Sequence, residues 1–257
     1  MPFLKLVRII FIFLRFRLNE IFPKEILPFW LKIVFFLSPF NLIPTNKKLG
    51  IRLAEALEIA GPIFVKFGQL LSTRPDFLDE DVIQELQKFQ NNLKPFPSEE
   101  AIKIIERDLG HPINELFAEF NESPLAAASI AQVHEATLKS GENVVVKVVR
   151  PNLDKKIKDD VSILKMIGKV ANTFDADARR LQLLEMIREY EYVITSEVDL
   201  KKEAGNTIQT AKFFEDSNLL YVPKVYLEYS SNKTLTLEKI EGIPVTDLKV
   251  LEDKKVD

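Results

Sequence analysis

Apolar positions recur at helical spacing through residue 115, and at strand-like alternation in several segments after it. Leu49–Ala60 predicts a helix punctuated by Gly61-Pro62, and Pro62 suits the first turn of the next helix, IFVKFGQLLSTR. Pro95-Phe96-Pro97 marks a connection. Ser98 then reads as the N-cap of EEAIKIIERDL, with acids in the first turn and Gly110 just past its end. Ile130–Leu138 and Asn143–Val149 predict strands joined by the turn Lys139-Ser140-Gly141-Glu142. Helical stretches follow over 151–174 and 181–214. Two further strand-like runs, Lys224–Tyr229 and Lys233–Ile240, flank Ser230-Ser231-Asn232, and Gly242-Ile243-Pro244 then interrupts. Helices followed by β-β-α-α-β-β predict an α+β layout with an antiparallel sheet.

The first 48 residues form a separate, apolar and basic head. In FLKLVRIIFIFLRFRL, Lys5, Arg8 and Arg15 fall on one helical stripe, with Leu, Ile and Phe on the others. Its longest uninterrupted apolar run, Ile9–Leu14, is too short to span a bilayer. A second stretch, LPFWLKIVFFLSPF, is broken by Pro28, Lys32 and Pro39. Two readings stand: an interfacial helix pair on a membrane with Trp30 at headgroup level, or a helical hairpin packed on the body. Charge favours the first. Residues 1–48 carry eight bases and two acids, a net of +6, so with a total of −3 the remainder carries −9. A basic head on an acidic body is attracted to an anionic membrane surface.

Composition excludes several chemistries. With 46% hydrophobic residues the chain can bury a core. It has no cysteine, hence no disulfides, thiolate metal sites or thiol catalysis. With only His111 and His134, a multi-histidine metal site is a poor fit, and no metal ligands are assigned within the chain. The near-neutral net charge gives no sign of a nucleic-acid partner.

Lys147 sits inside VVVKVV, an apolar strand in which a lysine is costly without a partner. Protein kinases place a lysine in such a strand to hold nucleotide phosphates and to pair with a helix glutamate. An edge strand with a snorkelling lysine is the other reading. The segment Pro124–Ile130 occupies the place of a phosphate-covering loop, with Ala126, Ala127, Ala128 and Ser129 where glycines would permit positive φ. Asp199, Glu203 and Asn206 share a helical face, which lets Glu203 meet Lys147. On a regular helix Glu197 points about 240° away from Glu203, so the two require separate cations or a kink. Lys66, Gln69 and Thr73 form a polar stripe on IFVKFGQLLST, either solvated or a source of that second cation.

Four segments in fixed order, KFGQ (66–69), AAAS (126–129) with IAQVH, VVVKV, and EVDLKKEAGN (197–206), closely resemble the UbiB family of atypical kinases, linked to ubiquinone biosynthesis. SPLAAASIAQVH, REYEYVITSE and EKIEGIPVTDL extend the resemblance along nearly the whole chain. It implies a kinase-like N-lobe over 116–257, preceded by a helical KxGQ extension over 49–115 and the membrane-proximal head over 1–48. It implies that Lys66 is held by Glu197 and Asp199, that Lys147 pairs with Glu203, and that Gln69 belongs to the same catalytic group. The alanine loop and Lys147 are then expected to grip ATP or ADP with Mg²⁺, and Glu238-Lys239-Ile240 to lie at the adenine hinge, with Glu238 and Ile240 as contacts. The catalytic-loop aspartate and the metal-binding residues of a kinase C-lobe find no counterpart before Asp257, so a truncated form that does not turn over alone is expected.

The resemblance implies an ATP-dependent atypical kinase or ATPase supporting ubiquinone synthesis, associated with its ring hydroxylation stage. The expected place is the cytoplasmic face of a bacterial inner membrane, with a polyprenyl-phenol lipid and other proteins of ubiquinone synthesis as partners. The chain itself is no hydroxylase by its sequence, for it shows no flavin fingerprint or iron ligand set. A non-catalytic, membrane-associated scaffold or lipid-binding module is the alternative. A small-molecule phosphotransferase shares the strand lysine but does not account for KFGQ.

Overall fold

A computed structural model describes residues 2–18, 33, 37–42, 45–74, 76, 78–87, 95–174, 179–180, 182–217, 219–243 and 248–253. Trp30, most of the second apolar stretch of the head, and Pro244 lie outside the described residues. In chain order the elements are α1 (Pro2–Arg15), α2 (Leu49–Ala60), α3 (Pro62–Leu71), α4 (Glu80–Gln87), α5 (Ser98–Leu109), α6 (Ile113–Leu116), β1 (Phe117–Phe120), β2 (Ala126–Ala127), β3 (Ala131–Leu138), β4 (Asn143–Val149), α7 (Leu153–Phe174), α8 (Leu183–Glu197), α9 (Leu200–Phe213), β5 (Thr234–Glu238) and α10 (Leu248–Asp253). They form two compact units. One comprises the described residues of Met1–Pro95, Ala127–Ala131 and Val149–Asp199; the other comprises those of Phe96–Ala126, Gln132–Val148 and Leu200–Asp257.

The first unit is built mainly of helices. Gly61 ends α2 and begins α3: its N–H donates to Leu57 O, and its carbonyl accepts from the N–H groups of Phe64 and Val65. That double role needs φ of 126°, which glycine alone adopts freely. Ile63, Phe64 and Phe67 of α3 are buried, as are Val161, Ile187 and Ile194 of α7 and α8. α1 turns Ile9 and Ile12 inward and leaves Val7, Ile10 and Phe11 exposed. Lys5 pairs at 3.2 Å with Asp159 and Asp160, and Arg8 donates to Ile59 O. The buried Arg52 of α2 donates to the carbonyls of Phe16 and Arg17, satisfying acceptors just past the end of α1. One face of the head helix is therefore packed on protein, and the exposed apolar stripe is the opposite one.

The second unit holds an antiparallel sheet with strand order β1-β3-β4-β5, with β2 paired to β3. β4 lies between β3 and β5, which removes the edge-strand reading of Lys147. Val144, Val146 and Val148 are fully buried on one face. They pack with Ala101, Ile104 and Ile105 of α5 and with Leu116, Phe117 and Leu138. In the β4–β5 register Lys147 faces Leu235. Gly110 closes α5 in the left-handed conformation, as its position predicts.

Four expectations are corrected. Ser98 is the first residue of α5 rather than its cap; its hydroxyl donates instead to Glu122 O, 24 residues away. Residues 224–229 make only the bridge Val225↔Leu237 and then a 3-10 turn at Leu227–Tyr229. Here Ser230 Oγ donates to Tyr226 O and accepts from Thr236 N–H, while Thr236 Oγ1 donates to Tyr229 O, so hydroxyls replace the ladder. The helix expected over 181–214 is two helices, α8 and α9, because Asp199 N–H closes back on Ser196 O while Leu200 N–H goes to Asn232 O. The short strands β1 and β2 are the fourth difference, too brief to carry a period.

His134 is fully buried in β3 and belongs to a satisfied chain of hydrogen bonds. Its Nδ1 is 2.9 Å from Asn121 O, which only accepts, so Nδ1 carries the proton. Nε2 then accepts from Gln132 Nε2 at 2.8 Å, and Gln132 Oε1 accepts from Phe96 N–H. The ring stacks on Phe120 at 5.0 Å. Burial holds the imidazole pKa below its ordinary value, against the smaller opposing effect of Asn121. The unfolded imidazole binds a proton as pH falls through about 6.5, whereas the buried one resists. Stability from this residue is thus complete above about 6.5, falls as the pH drops below that value, and stops falling below the lowered folded pKa. Urea midpoints of wild type and His134→Asn between pH 8 and 5.5 check this: the wild type should lose stability over the range relative to the variant, and parallel profiles would refute it.

Candidate nucleotide site and its lysine–acid pairs

Within the sheet unit, β4 presents Lys147 on the face opposite Val146 and Val148. Its Nζ lies 2.7 Å from both Glu203 Oε1 and Glu203 Oε2, a symmetric two-oxygen grip across 56 residues. An ammonium has three donors, and this pair uses two. The arrangement fixes the amine and leaves one N–H direction for a further anion. Donor chemistry here therefore fits a nucleotide phosphate. The pair is half-buried, with side-chain exposures of 26% and 38%, so its attraction is screened and its value is positional rather than a large stabilisation.

Glu238, at the end of β5, is fully engaged. Tyr221 donates to Oε1 at 2.6 Å, Lys224 N–H donates to Oε2, and the Tyr221 bond is the main cause of a carboxyl pKa below the ordinary value. Its own N–H donates to Lys224 O. Of the polar groups expected to meet adenine at Glu238, only the carbonyl lacks one of these roles. Ile240 follows as a half-exposed residue beyond the strand.

Within the helical unit, Lys66 Nζ of α3 lies 2.6 Å from Glu197 Oε2 at the end of α8. That oxygen is buried yet accepts no hydrogen bond of good alignment, so the approach is charge pairing rather than a directed bond. Glu197 and Glu203 thus take different cations, and they also stand on two separate helices, α8 and α9. Asp199 follows Glu197 by two residues and donates its N–H to Ser196 O. Gln69 offers its carbonyl to Ser72 Oγ at 2.7 Å.

Tyr190 is a site residue that the sequence reading passes over. Its hydroxyl donates to Ile63 O at 2.5 Å, and its ring meets Phe67 edge-on at 5.2 Å. Those contacts bracket Lys66 on α3. Burial, with the Glu197 and Asp160 charges adding to it, pushes the phenol pKa far up, so it remains a donor at every working pH. The available signal was its i, i+7 relation to Glu197 on α8. Tyr190→Phe removes one buried hydrogen bond and should cost about 1 kcal/mol in chemical denaturation. It should also raise the reactivity of Lys66 towards an amine reagent; unchanged stability and reactivity would refute the positioning role.

Ala126 and Ala127 form β2, and Ala128–Ile130 turn the chain into β3. No residue of this loop has positive φ. Alanine therefore incurs no backbone penalty here, and the loop lacks the alternating backbone of an anion nest. Among the described residues no group of three or more His, Asp or Glu side chains is placed to hold a metal ion, and no described helix is long and apolar enough to cross a membrane.

A strand lysine gripped by a helix glutamate in a small antiparallel sheet defines a kinase-like nucleotide lobe. Comparison with known proteins agrees. The model of the ABC1 atypical kinase-like domain matches residues 88–257, and the chain belongs to that family. It is 46% identical over 261 residues to "Probable protein kinase UbiB" of Pseudomonas aeruginosa, covering 100% of this chain and 49% of the relative. The protein of the same name from Marinobacter nauticus is 44% identical over 254 residues, covering 98% and 46%. The chain spans about half the length of these curated relatives. Among solved structures, the complex of Rv3197 with erythromycin from Mycobacterium tuberculosis matches with a TM-score of 0.52 at 24% identity, covering 85% of this chain and 50% of that one. At that identity the match speaks for the fold. The chain is UbiB-like in sequence and kinase-like in architecture.

Proposed function

We propose that this chain forms the nucleotide-holding part of a UbiB-type atypical kinase or ATPase that supports ubiquinone biosynthesis, at the ring hydroxylation stage. The observation that carries the reading is the Lys147–Glu203 grip in an interior strand of an ABC1-family chain. ATP or ADP with Mg²⁺ supplies the phosphoryl groups. Lys147 holds a phosphate oxygen through its remaining N–H direction, Glu203 keeps the ammonium in place, and the alanine loop covers the phosphates. Lys66, held by Glu197, with Gln69 and Asp199, forms a second charged group. In this reading it restricts the site to small-molecule or ATPase work. Titration of the chain with Mg²⁺–ATP and Mg²⁺–ADP tests the reading: a thermal shift and a calorimetric isotherm are expected, and their absence would sink it. Loss of quinone from cells carrying Lys147→Ala in a full-length relative tests the pathway.

A second reading has its own observation. Val7, Ile10 and Phe11 form an exposed apolar stripe on a basic helix, which supports a membrane-associated scaffold or lipid-binding module. We place such a protein on the cytoplasmic face of a bacterial inner membrane, beside a polyprenyl-phenol lipid and other proteins of ubiquinone synthesis. Sedimentation with vesicles containing anionic lipid, unaffected by nucleotide and lost in Phe11→Glu, would favour it.

A further inference from the structure

The alanine loop is closed by Arg150, the first residue after β4. Ala128 N–H donates to Ala131 O at 2.8 Å. Arg150 N–H donates to Ile130 O at 2.8 Å, and Arg150 Nε donates to Ala128 O at 2.9 Å. Both backbone polar groups of Ala128 are thereby occupied, and one residue ties down two carbonyls of the turn. Ala127, Ser129, Ile130 and Ala131 are all buried. The guanidinium is itself half-buried, and a charged donor on a carbonyl in partly desolvated surroundings makes a stronger bond than a neutral one.

This arrangement differs from that of a glycine-rich cover, whose adaptability comes from free backbone torsions. Here the torsions are restricted twice, by alanine Cβ atoms and by the arginine. A loop held in one shape loses little conformational entropy when a ligand arrives; a released loop must be ordered at the expense of affinity.

We propose that Arg150 is a positioning residue for nucleotide binding, clamping the alanine loop in its binding shape. The proposal rests on the nucleotide reading above. Arg150 does not touch the nucleotide in this account; it acts through Ala128 and Ile130. Its backbone N–H bond survives any substitution, so Arg150→Gln and Arg150→Lys remove only the side-chain arm of the clamp. Lysine keeps the charge without the planar Nε donor.

The test uses the whole chain and two measurements: amide hydrogen exchange of the 126–131 segment, and the Mg²⁺–ATP dissociation constant by calorimetry. In Arg150→Gln, exchange should accelerate about tenfold or more in that segment, and affinity should fall about tenfold. Arg150→Lys should lie between this variant and wild type in both readouts. It remains the deciding variant should Arg150→Gln not fold. Unchanged loop exchange overturns the clamp. Faster exchange with unchanged affinity overturns the positioning role while leaving the nucleotide reading intact. A wild-type chain that binds no nucleotide removes both together, with the loop exchange of the variants still deciding whether the clamp exists.

Discussion

Lys147→Ala is expected to weaken nucleotide binding by at least about tenfold and to leave the fold standing. The substitution removes the one amine that β4 presents on its non-core face, and with it a charge-assisted contact of the kind worth about 1.5–3 kcal/mol. That corresponds to roughly a tenfold to hundredfold loss of affinity from this contact alone, and more if the loop no longer closes. Stability should move little, because the abandoned Glu203 carboxylate is 38% exposed and regains water. The core face of the strand, carried by Val144, Val146 and Val148, is untouched. Glu203→Gln should weaken binding less, since the ammonium remains but is no longer fixed by a charged partner. Calorimetry on the three proteins beside urea titrations separates these effects. Binding that survives Lys147→Ala at wild-type strength would rule out the strand lysine as the phosphate ligand.

Phe117→Ala is expected to destabilise the sheet unit by about 3–5 kcal/mol, the range for truncating a buried phenylalanine. Phe117 is 2% exposed. Its ring lies 5.9 Å from both Phe120 and Tyr229, tilted by 41° and 40°. It packs in the cluster that includes the buried valines of β4, the strand carrying Lys147. The β1–β3 register shifts between Phe117 and Glu119, so the buried ring sits at an irregularity of the ladder. Whole domains are stable by only about 5–15 kcal/mol, which makes this loss a large part of the total. Urea unfolding should show a lower midpoint with a similar slope. A cost below about 1 kcal/mol would mean that the site collapses around the cavity, contrary to the packing described.

Much of this was readable in the residues. Helix ends at Gly61-Pro62 and Gly110 followed from backbone chemistry that belongs to single residues. β3 and β4 followed from alternation, a strictly local signal. The six-residue separation of Glu197 and Glu203 called for two partners or a kink, and the structure shows both: Lys66 and Lys147 as partners, and a break between α8 and α9. Local signals failed where a distant atom competed for a local group. The Ser98 hydroxyl went to Glu122 O, and the run 224–229 lost its strand to bonds from Ser230 and Thr236. Tyr190 reaches Ile63 across 127 residues, and Arg150 reaches Ala128 across 22; neither spacing has a period to detect.

By itself the sequence determined which residues can carry charge into apolar surroundings, where the chain must turn, and which lysine stands in an apolar strand. Only the tertiary structure decided that the strand of Lys147 is interior, that Asp199 and Leu200 break a helix, that His134 is a neutral core residue, and that an arginine locks the alanine loop. The reason is physical: propensity and periodicity act over a few residues, whereas a hydrogen bond or ion pair depends on two groups brought together by burial elsewhere in the chain.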